Sequence, residues 1–392
     1  MIFYMLYILY ILYYLVLLAN VVQSFLRRKS VLLLICTLLL LFFLFFSNDA
    51  SGHDHYLYKI GFEQSDQELG FEVLYTAIVS GIKGLGVTDY NTFLAVYFVI
   101  CLALQYLGLK GNLALTHPLL SLYMVFIFPQ WAIAIRIFLA ISIVLFSMKF
   151  LLQGKRLVYV CGIALATAVH LSIAPFALLA LFYSSDSVRK MEAAKYKSTV
   201  LKIMLCSFAV LAIASYFFAE STVYGTTTAV LSSVMGHDAA SDIDNKVTSY
   251  FESKTKLGFM IFVFIYVVNL LMALKMAKAS SMKLFEGDKT LRLVANSGAT
   301  INLFLSFTLP LIVLNLVFGR LMALGSIVNM STFSIYLIRF KSLTQNTRMI
   351  LLLYFVFSLL AWSVPAALEI NSISPKGLIE TAILYWGGDS SL

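Results

Sequence analysis

The sequence is poor in charged residues. Only 12% of its 392 residues are Asp, Glu, Lys or Arg, whereas 61% are hydrophobic and the mean hydropathy is +0.92. A single water-soluble core could not bury that much apolar surface, so the composition excludes a soluble protein. Lipid must therefore surround most of the chain, which predicts an integral membrane protein built from apolar helices.

Cysteine is also scarce, and its placement argues against a cysteine metal site. The four cysteines are Cys36, Cys101, Cys161 and Cys206. They lie within apolar runs without metal-ligand spacing, so we interpret them as buried structural residues. The segment His53-Asp54-His55 also lacks a third well-spaced ligand. We therefore predict no metal and no other cofactor.

The net charge of +9 is better explained by membrane topology than by a nucleic-acid partner. Short basic segments between the apolar runs hold 20 of the 28 Lys and Arg residues, and most of the 19 acidic residues lie elsewhere. These segments are Arg27 to Lys29, Lys110, Lys149 to Arg156, Arg189 to Lys202, Lys275 to Arg292 and Arg339 to Arg348. Because basic loops favour the cytoplasm, we place these segments inside and the acidic ones outside.

Long apolar runs recur along the whole chain and indicate the fold class. We predict an all-α, polytopic transmembrane helix bundle with about 10 to 12 membrane segments, including a re-entrant hairpin. The bundle forms a single integral membrane domain over residues 1–392, with outer loops at 48–90 and 220–256.

Two apolar segments do not fit simple membrane crossings. Residues 71–87 are short and rich in glycine, which favours an outer interfacial or re-entrant helix. Residues 157–183 have basic segments on both sides, which favours a hairpin that rises from the cytoplasm and returns to it. We expect its apex near His170, with Pro175 helping to break the helix.

Three ionisable residues within apolar runs are predicted to lie at the same depth in the membrane. Arg136 lies 18 residues before the turn at Gly154, and His170 lies 16 residues after it. Arg320 lies 19 residues before the basic turn at Arg339. With a helical rise of about 1.5 Å per residue, all three lie roughly 24 to 29 Å above the cytoplasmic side. Arginine donors match phosphate oxygens and histidine can donate or pass a proton, so the pattern predicts a pyrophosphate site.

The same residues resemble a known family of membrane proteins. The matching segments share the order and membrane placement of that family's motifs. They are the loop with Asp54, Tyr56 and Tyr58, then Glu68-Leu69-Gly70-Phe71, Ala134 to Ala140, Gly154-Lys155-Arg156, Ala168 to Ser172 and Gly319-Arg320. From about residue 48 to 340, the chain resembles the EpsG and Wzy polysaccharide-polymerase family.

The resemblance implies a membrane glycosyltransferase of the bacterial inner membrane, multi-pass and compatible with a GT-C-like architecture. Its periplasmic site would transfer a growing glycan from undecaprenyl pyrophosphate to a lipid-linked repeat unit, in Wzy-dependent O-antigen (lipopolysaccharide) or exopolysaccharide synthesis. Its partners would be undecaprenyl-pyrophosphate-linked oligosaccharides, the lipid bilayer and a chain-length regulator protein, without nucleic acid.

The resemblance also implies roles for particular residues. Arg136 and Arg320 would hold the pyrophosphate, together with His170. Asp54 and Glu68 of the outer loop are the candidates for the catalytic base, and His170 is the rival candidate. The candidate sugar contacts are Tyr56, Tyr224 and Tyr250.

Simpler and rival interpretations remain open at this stage. Both arginines could snorkel to outer headgroups, His170 could be a packing residue, and the loop acids could be solvated. A lipid-linked oligosaccharide flippase or other transporter would also need cations in a membrane cavity. An integral membrane sugar acyltransferase would also pair a helix histidine with arginine.

Overall fold

The computed structural model is helical throughout the part of the chain that it describes. That part comprises 2–26, 30–47, 53–64, 71–108 and 134–182, with short pieces at 124, 128, 202, 206, 344–346, 348–350, 352–353, 379–380 and 382–383. No strand occurs among these residues, so the all-α prediction is confirmed for them. The chain forms two compact units, one of Met1–Val188 with Ser326–Leu392 and one of Arg189–Gly325.

The first unit contains a series of helices. They are α1 (Ile2–Leu26), α2 (Val31–Phe46), α3 (His53–Glu63), α4 (Val73–Gly84), α5 (Tyr90–Gly108), α6 (Ile135–Leu152), α7 (Arg156–Val169), a 3-10 segment (Leu171–Leu178) and α8 (Leu179–Phe182). Among the described helices, α5 is the one with the length and apolarity to cross a membrane. Shorter apolar helices occur in α1, α2, α4 and α7. The predicted number of membrane segments therefore stays a prediction.

Helix α5 begins at a side-chain cap. The Oδ1 atom of Asp89 accepts hydrogen bonds from the backbone N–H groups of Asn91 at 3.0 Å and Thr92 at 2.9 Å. A hydrogen bond from the side chain of Thr92 is the largest cause that holds the pKa of Asp89 below its ordinary value. The charged carboxylate thus satisfies N–H groups that have no partner within the helix.

The short helix predicted within residues 71–87 is present as α4, and the break predicted near His170 is confirmed. Helix α7 ends at Val169, and His170 has extended backbone angles, φ −155° and ψ 114°. The hydroxyl of Tyr159 in α7 donates to the carbonyl of Phe176 at 2.8 Å, so the 3-10 segment folds back along α7. Pro175 lies inside this segment and cannot donate a backbone hydrogen bond.

Glycine allows α5, α6 and α7 to pack closely. A Cβ atom on Gly108 of α5 would lie 2.5 Å from the carbonyl oxygen of Leu145 in α6. A Cβ atom on Gly162 of α7 would clash with Oγ of Ser147, also in α6. In lipid, apolar side chains gain little free energy by contacting each other instead of the lipid. Close packing at small residues therefore contributes much of the attraction between helices.

Polar contacts between helices add to this packing. Gln105 of α5 donates to Ser142 of α6 at 3.0 Å, and Asn20 of α1 donates to Thr37 of α2 at 2.8 Å. The hydroxyl of buried Tyr97 in α5 donates to the carbonyl of Ile135 at 2.9 Å. That last bond fixes the first turn of α6, where the candidate site begins.

An aromatic cluster fills the space between α2, α5 and α6. The buried rings of Phe45, Phe98 and Phe138 lie in mutual contact, with the Phe45 and Phe98 centroids 4.9 Å apart. Phe128 also packs on Phe45 and Phe98. Because Phe138 follows Arg136 by two residues, this cluster helps to hold the start of α6 in place.

We expect Gly108→Ala and Gly162→Ala to destabilise the protein by about 1–3 kcal/mol, because each added methyl group forces α6 away. Gly108→Ala should cost more, since it meets backbone atoms rather than a serine side chain. Thermal unfolding of the purified protein in detergent measures both. Gly81→Ala in α4 is the matched control, because a Cβ there meets nothing within 4 Å. Equal unfolding temperatures for all three variants would contradict the close packing.

Candidate functional site

The candidate site is built around Arg136, the second residue of α6. The first turn of this helix has no acidic residue, and Ala134 at its N-cap provides no side-chain cap. A helix N-terminus carries a partial positive charge, so the helix itself disfavours a cation there. The side chain of Arg136 is only 21% exposed. The guanidinium therefore needs an anionic partner from another part of the chain.

Glu72 is that partner. Its Oε2 atom accepts a hydrogen bond from Nη1 of Arg136, and the two side chains form an ion pair. Glu72 is the N-cap residue of α4 and is 25% exposed. A carboxylate is favoured at a helix N-terminus, so α4 stabilises the anion that α6 requires.

Aromatic side chains fix the plane of the guanidinium. The hydroxyl of Tyr58 in α3 accepts a hydrogen bond from Nε of Arg136 at 3.3 Å. The Cζ atom of Arg136 lies 5.3 Å from the ring centroid of Tyr58 and 4.7 Å from that of Phe71. Arginine stacks favourably on aromatic faces, so α3 and the segment before α4 orient the cation as well as neutralise it.

The backbone directly after the end of α7 also contacts the carboxylate of Glu72. The Oε1 atom of Glu72 accepts a long hydrogen bond, 3.5 Å, from the backbone N–H of Leu171. In an uninterrupted helix this N–H would bond to the carbonyl of Thr167 instead. Glu72 thus lies between Arg136 and the turn that carries His170, so the structure brings these two predicted site residues into one cluster.

His170 is buried, with 8% exposure, and its imidazole is oriented by Ser172. Its Nδ1 atom accepts the backbone N–H of Ser172 at 3.3 Å and lies 2.8 Å from the hydroxyl oxygen of Ser172. A ring nitrogen that accepts an N–H cannot carry a proton. The neutral imidazole therefore has its proton on Nε2, where it is a hydrogen-bond donor.

Only some of the remaining predicted site residues lie in the part of the chain that the structure describes. Asp54 belongs to α3 and precedes Tyr58 by four residues. Tyr56 is 54% exposed and stays a candidate sugar contact. The residues that lie outside the described part are Glu68, Arg320, Tyr224 and Tyr250.

Sequence reasoning missed Glu72 as a member of the site. The sequence pattern assigns no role to Glu72, and it includes Tyr58 and Phe71 only as residues of the matching motifs. One signal was available: Glu72 directly follows the segment that ends at Phe71, on the side of the membrane predicted for Arg136.

Chemically, the cluster combines several hydrogen-bond donors with one carboxylate. The donors are the guanidinium of Arg136, the N–H of Leu171 and the Nε2–H predicted for His170. Such donors suit a polyanionic oxygen group. Within the described residues, no three His, Cys, Asp or Glu side chains are grouped as metal ligands would be.

The ion pair predicts a measurable coupling. In a double-mutant cycle with Glu72→Gln and Arg136→Gln, we expect a coupling free energy of about 1–3 kcal/mol, between the values for exposed and buried pairs. Unfolding of the four proteins in detergent provides the measurement. Glu63→Gln removes an exposed acid on neighbouring α3 and should be additive with Arg136→Gln. A coupling no larger than that of the Glu63 control cycle would argue against the pair.

A model of the EpsG family matches residues 30–374, which confirms the resemblance drawn from the sequence motifs. No curated protein and no solved structure matches the chain.

Proposed function

Because the chain belongs to the EpsG family, we propose that it is a membrane glycosyltransferase that polymerises a polysaccharide from lipid-linked repeat units. The family points in general to polysaccharide polymerases, and the apolar helices agree with a membrane protein. The observation that carries the proposal for a site is the oriented guanidinium of Arg136, which pairs with Glu72. The other carboxylate oxygen of Glu72 accepts the N–H of Leu171, in the turn that carries His170.

The proposed reaction exchanges one glycosidic bond for another. The donor is a glycan attached to undecaprenyl pyrophosphate, and the acceptor is a sugar hydroxyl of a second lipid-linked unit. The bond between the anomeric carbon and the pyrophosphate oxygen breaks, and the acceptor oxygen forms a new bond to that carbon. A base takes the hydroxyl proton, and undecaprenyl pyrophosphate leaves with the bonding electrons.

Arg136 fits the stabilisation of the leaving group. Charge grows on the pyrophosphate as the anomeric bond breaks, and oriented donors in a site with little water stabilise such charge best. The hydroxyl of Tyr58 and the rings around the guanidinium hold it before substrate arrives. Arg320 is proposed as a second cation on the same pyrophosphate.

The hydrogen bonds of His170 favour a role as donor over a role as base. Its Nδ1 lone pair is directed at Ser172, and the neutral ring then carries a proton on Nε2. A nitrogen that already holds a proton cannot accept one from a sugar hydroxyl. We therefore assign His170 to a pyrophosphate oxygen, and leave Asp54 and Glu68 as the candidate bases.

The cellular setting follows from the same proposal. The site would face the periplasm from a multi-pass protein of the inner membrane, within about 10 to 12 membrane segments and a GT-C-like architecture. The products would be O-antigen or exopolysaccharide chains of the Wzy-dependent kind, with a chain-length regulator protein as a partner. Exposed Tyr56, with Tyr224 and Tyr250, would contact sugar rings.

Surface glycan analysed on gels tests the function. We expect Arg136→Ala, Arg320→Ala and His170→Ala each to reduce the ladder of long chains to single repeat units, because loss of one such donor lowers the rate by about a hundredfold or more. Lys149→Ala is the control on the same helix, about 20 Å further along α6, and should leave the ladder intact.

The gel patterns also separate the rival functions. Normal ladders in all three variants, with the proteins present in the membrane, would contradict the proposed site. Deletion of a flippase would remove surface glycan altogether, and deletion of an acyltransferase would leave a normal ladder.

A further substitution tests whether His170 acts as a hydrogen-bond donor or as the catalytic base. The amide nitrogen of glutamine can take the place of Nε2 and donate a hydrogen bond, but glutamine cannot act as a base. We expect His170→Gln to retain about a tenth or more of the polymerisation rate, far above His170→Ala. Polymerisation of defined lipid-pyrophosphate units, read by mass spectrometry, measures both. An equal loss of polymerisation rate in the two variants would contradict the donor role and make His170 a candidate base again.

A further inference from the structure

The carboxylate of Glu72 lies on the donors that a pyrophosphate would use. Its two oxygens contact different groups, Nη1 of Arg136 through Oε2 and the N–H of Leu171 through Oε1. This is the arrangement of an anion shared between two donors. Resting on the proposed function, we infer that Glu72 is an internal counter-anion that occupies the pyrophosphate site of the empty protein and is displaced by the donor substrate.

The two partners of the ion pair are held very differently. Arg136 is restrained by the hydroxyl and ring of Tyr58 and by the ring of Phe71. Glu72 is the N-cap residue of α4, but its side chain makes no capping hydrogen bond to that helix. Rotation of the Glu72 side chain therefore leaves α4 intact, whereas movement of Arg136 would break the stack. An arriving anion displaces the carboxylate and leaves the guanidinium in place.

The ion pair is also accessible. Arg136 and Glu72 are 21% and 25% exposed, so they are not sealed inside the bundle. Two N–H groups of the guanidinium are used, one on Nε and one on Nη1. Within the described part of the chain, the other three of its five donors have no partner. A phosphate group can begin to bind there before Glu72 has left.

The counter-anion has a consequence for selectivity. The carboxylate competes with every incoming anion, so an anion with a single phosphate group displaces it poorly from Arg136. A pyrophosphate has acceptor oxygens on two phosphate groups, and it can replace both contacts of Glu72 at once. Glu72 is thus a specificity residue that keeps the cation from common anions until the lipid-linked donor binds.

Calorimetric titration of inorganic pyrophosphate into the purified full-length protein in nanodiscs tests the inference. We expect Glu72→Gln to bind pyrophosphate about five- to tenfold more tightly than the natural protein, because the competing charge is gone. Glu63→Gln removes the same charge from an exposed position and should leave the affinity unchanged. Arg136→Gln should abolish binding in either background.

Each other outcome is decisive. Equal affinity for the natural protein and Glu72→Gln, or weaker binding by the variant, would overturn the counter-anion and leave the polymerase proposal intact. No binding by any of these proteins would overturn both the inference and the proposed pyrophosphate site. If Glu72→Gln does not give a monodisperse folded protein, Glu72→Asp keeps the charge but shortens the reach to Arg136. It should then bind pyrophosphate more tightly than the natural protein, and unchanged affinity would count against the inference.

Discussion

The ion pair between Arg136 and Glu72 is the interaction around which the site is organised. Arg136 stands at the end of α6 where the helix dipole disfavours a cation, and it is largely withdrawn from solvent. Glu72 neutralises it from the start of α4, and Tyr58 orients it from α3. One charge requirement thus draws three helices together. Because the pair joins residues 64 positions apart, it also ties the start of α4 to α6.

The break at His170 satisfies a second requirement, that of backbone polar groups in an apolar surrounding. Ending α7 frees the N–H groups of Leu171 and Ser172, and an unpaired N–H in lipid is costly. Glu72 accepts the first of these groups and the His170 ring accepts the second. The side chains assigned to the chemistry therefore also complete the hydrogen bonding of the broken helix. Substitutions of Glu72 or His170 should accordingly be checked for folding as well as for activity.

The helices behind the cluster provide the rigidity that such a site needs. Close contacts at Gly108 and Gly162 hold α5 and α7 against α6, and Tyr97 anchors the carbonyl of Ile135 beside Arg136. A donor stabilises developing charge effectively only when it is oriented in advance. The rigid packing of α5, α6 and α7 and the rotatable side chain of Glu72 would together allow substrate to replace Glu72 without a rearrangement of the helices.

Composition and charge pattern were enough to predict helices in lipid, because hydropathy and basic flanks act locally along the chain. The break near His170 was predictable for the same reason, since the basic flanks and Pro175 lie within its own segment. The sequence also identified Arg136, as a cation within an apolar run. It did not identify the partner, because Glu72 reaches Arg136 only through the docking of α4 on α6. An ion pair between distant residues leaves no local pattern, so the choice of acid was made by tertiary packing.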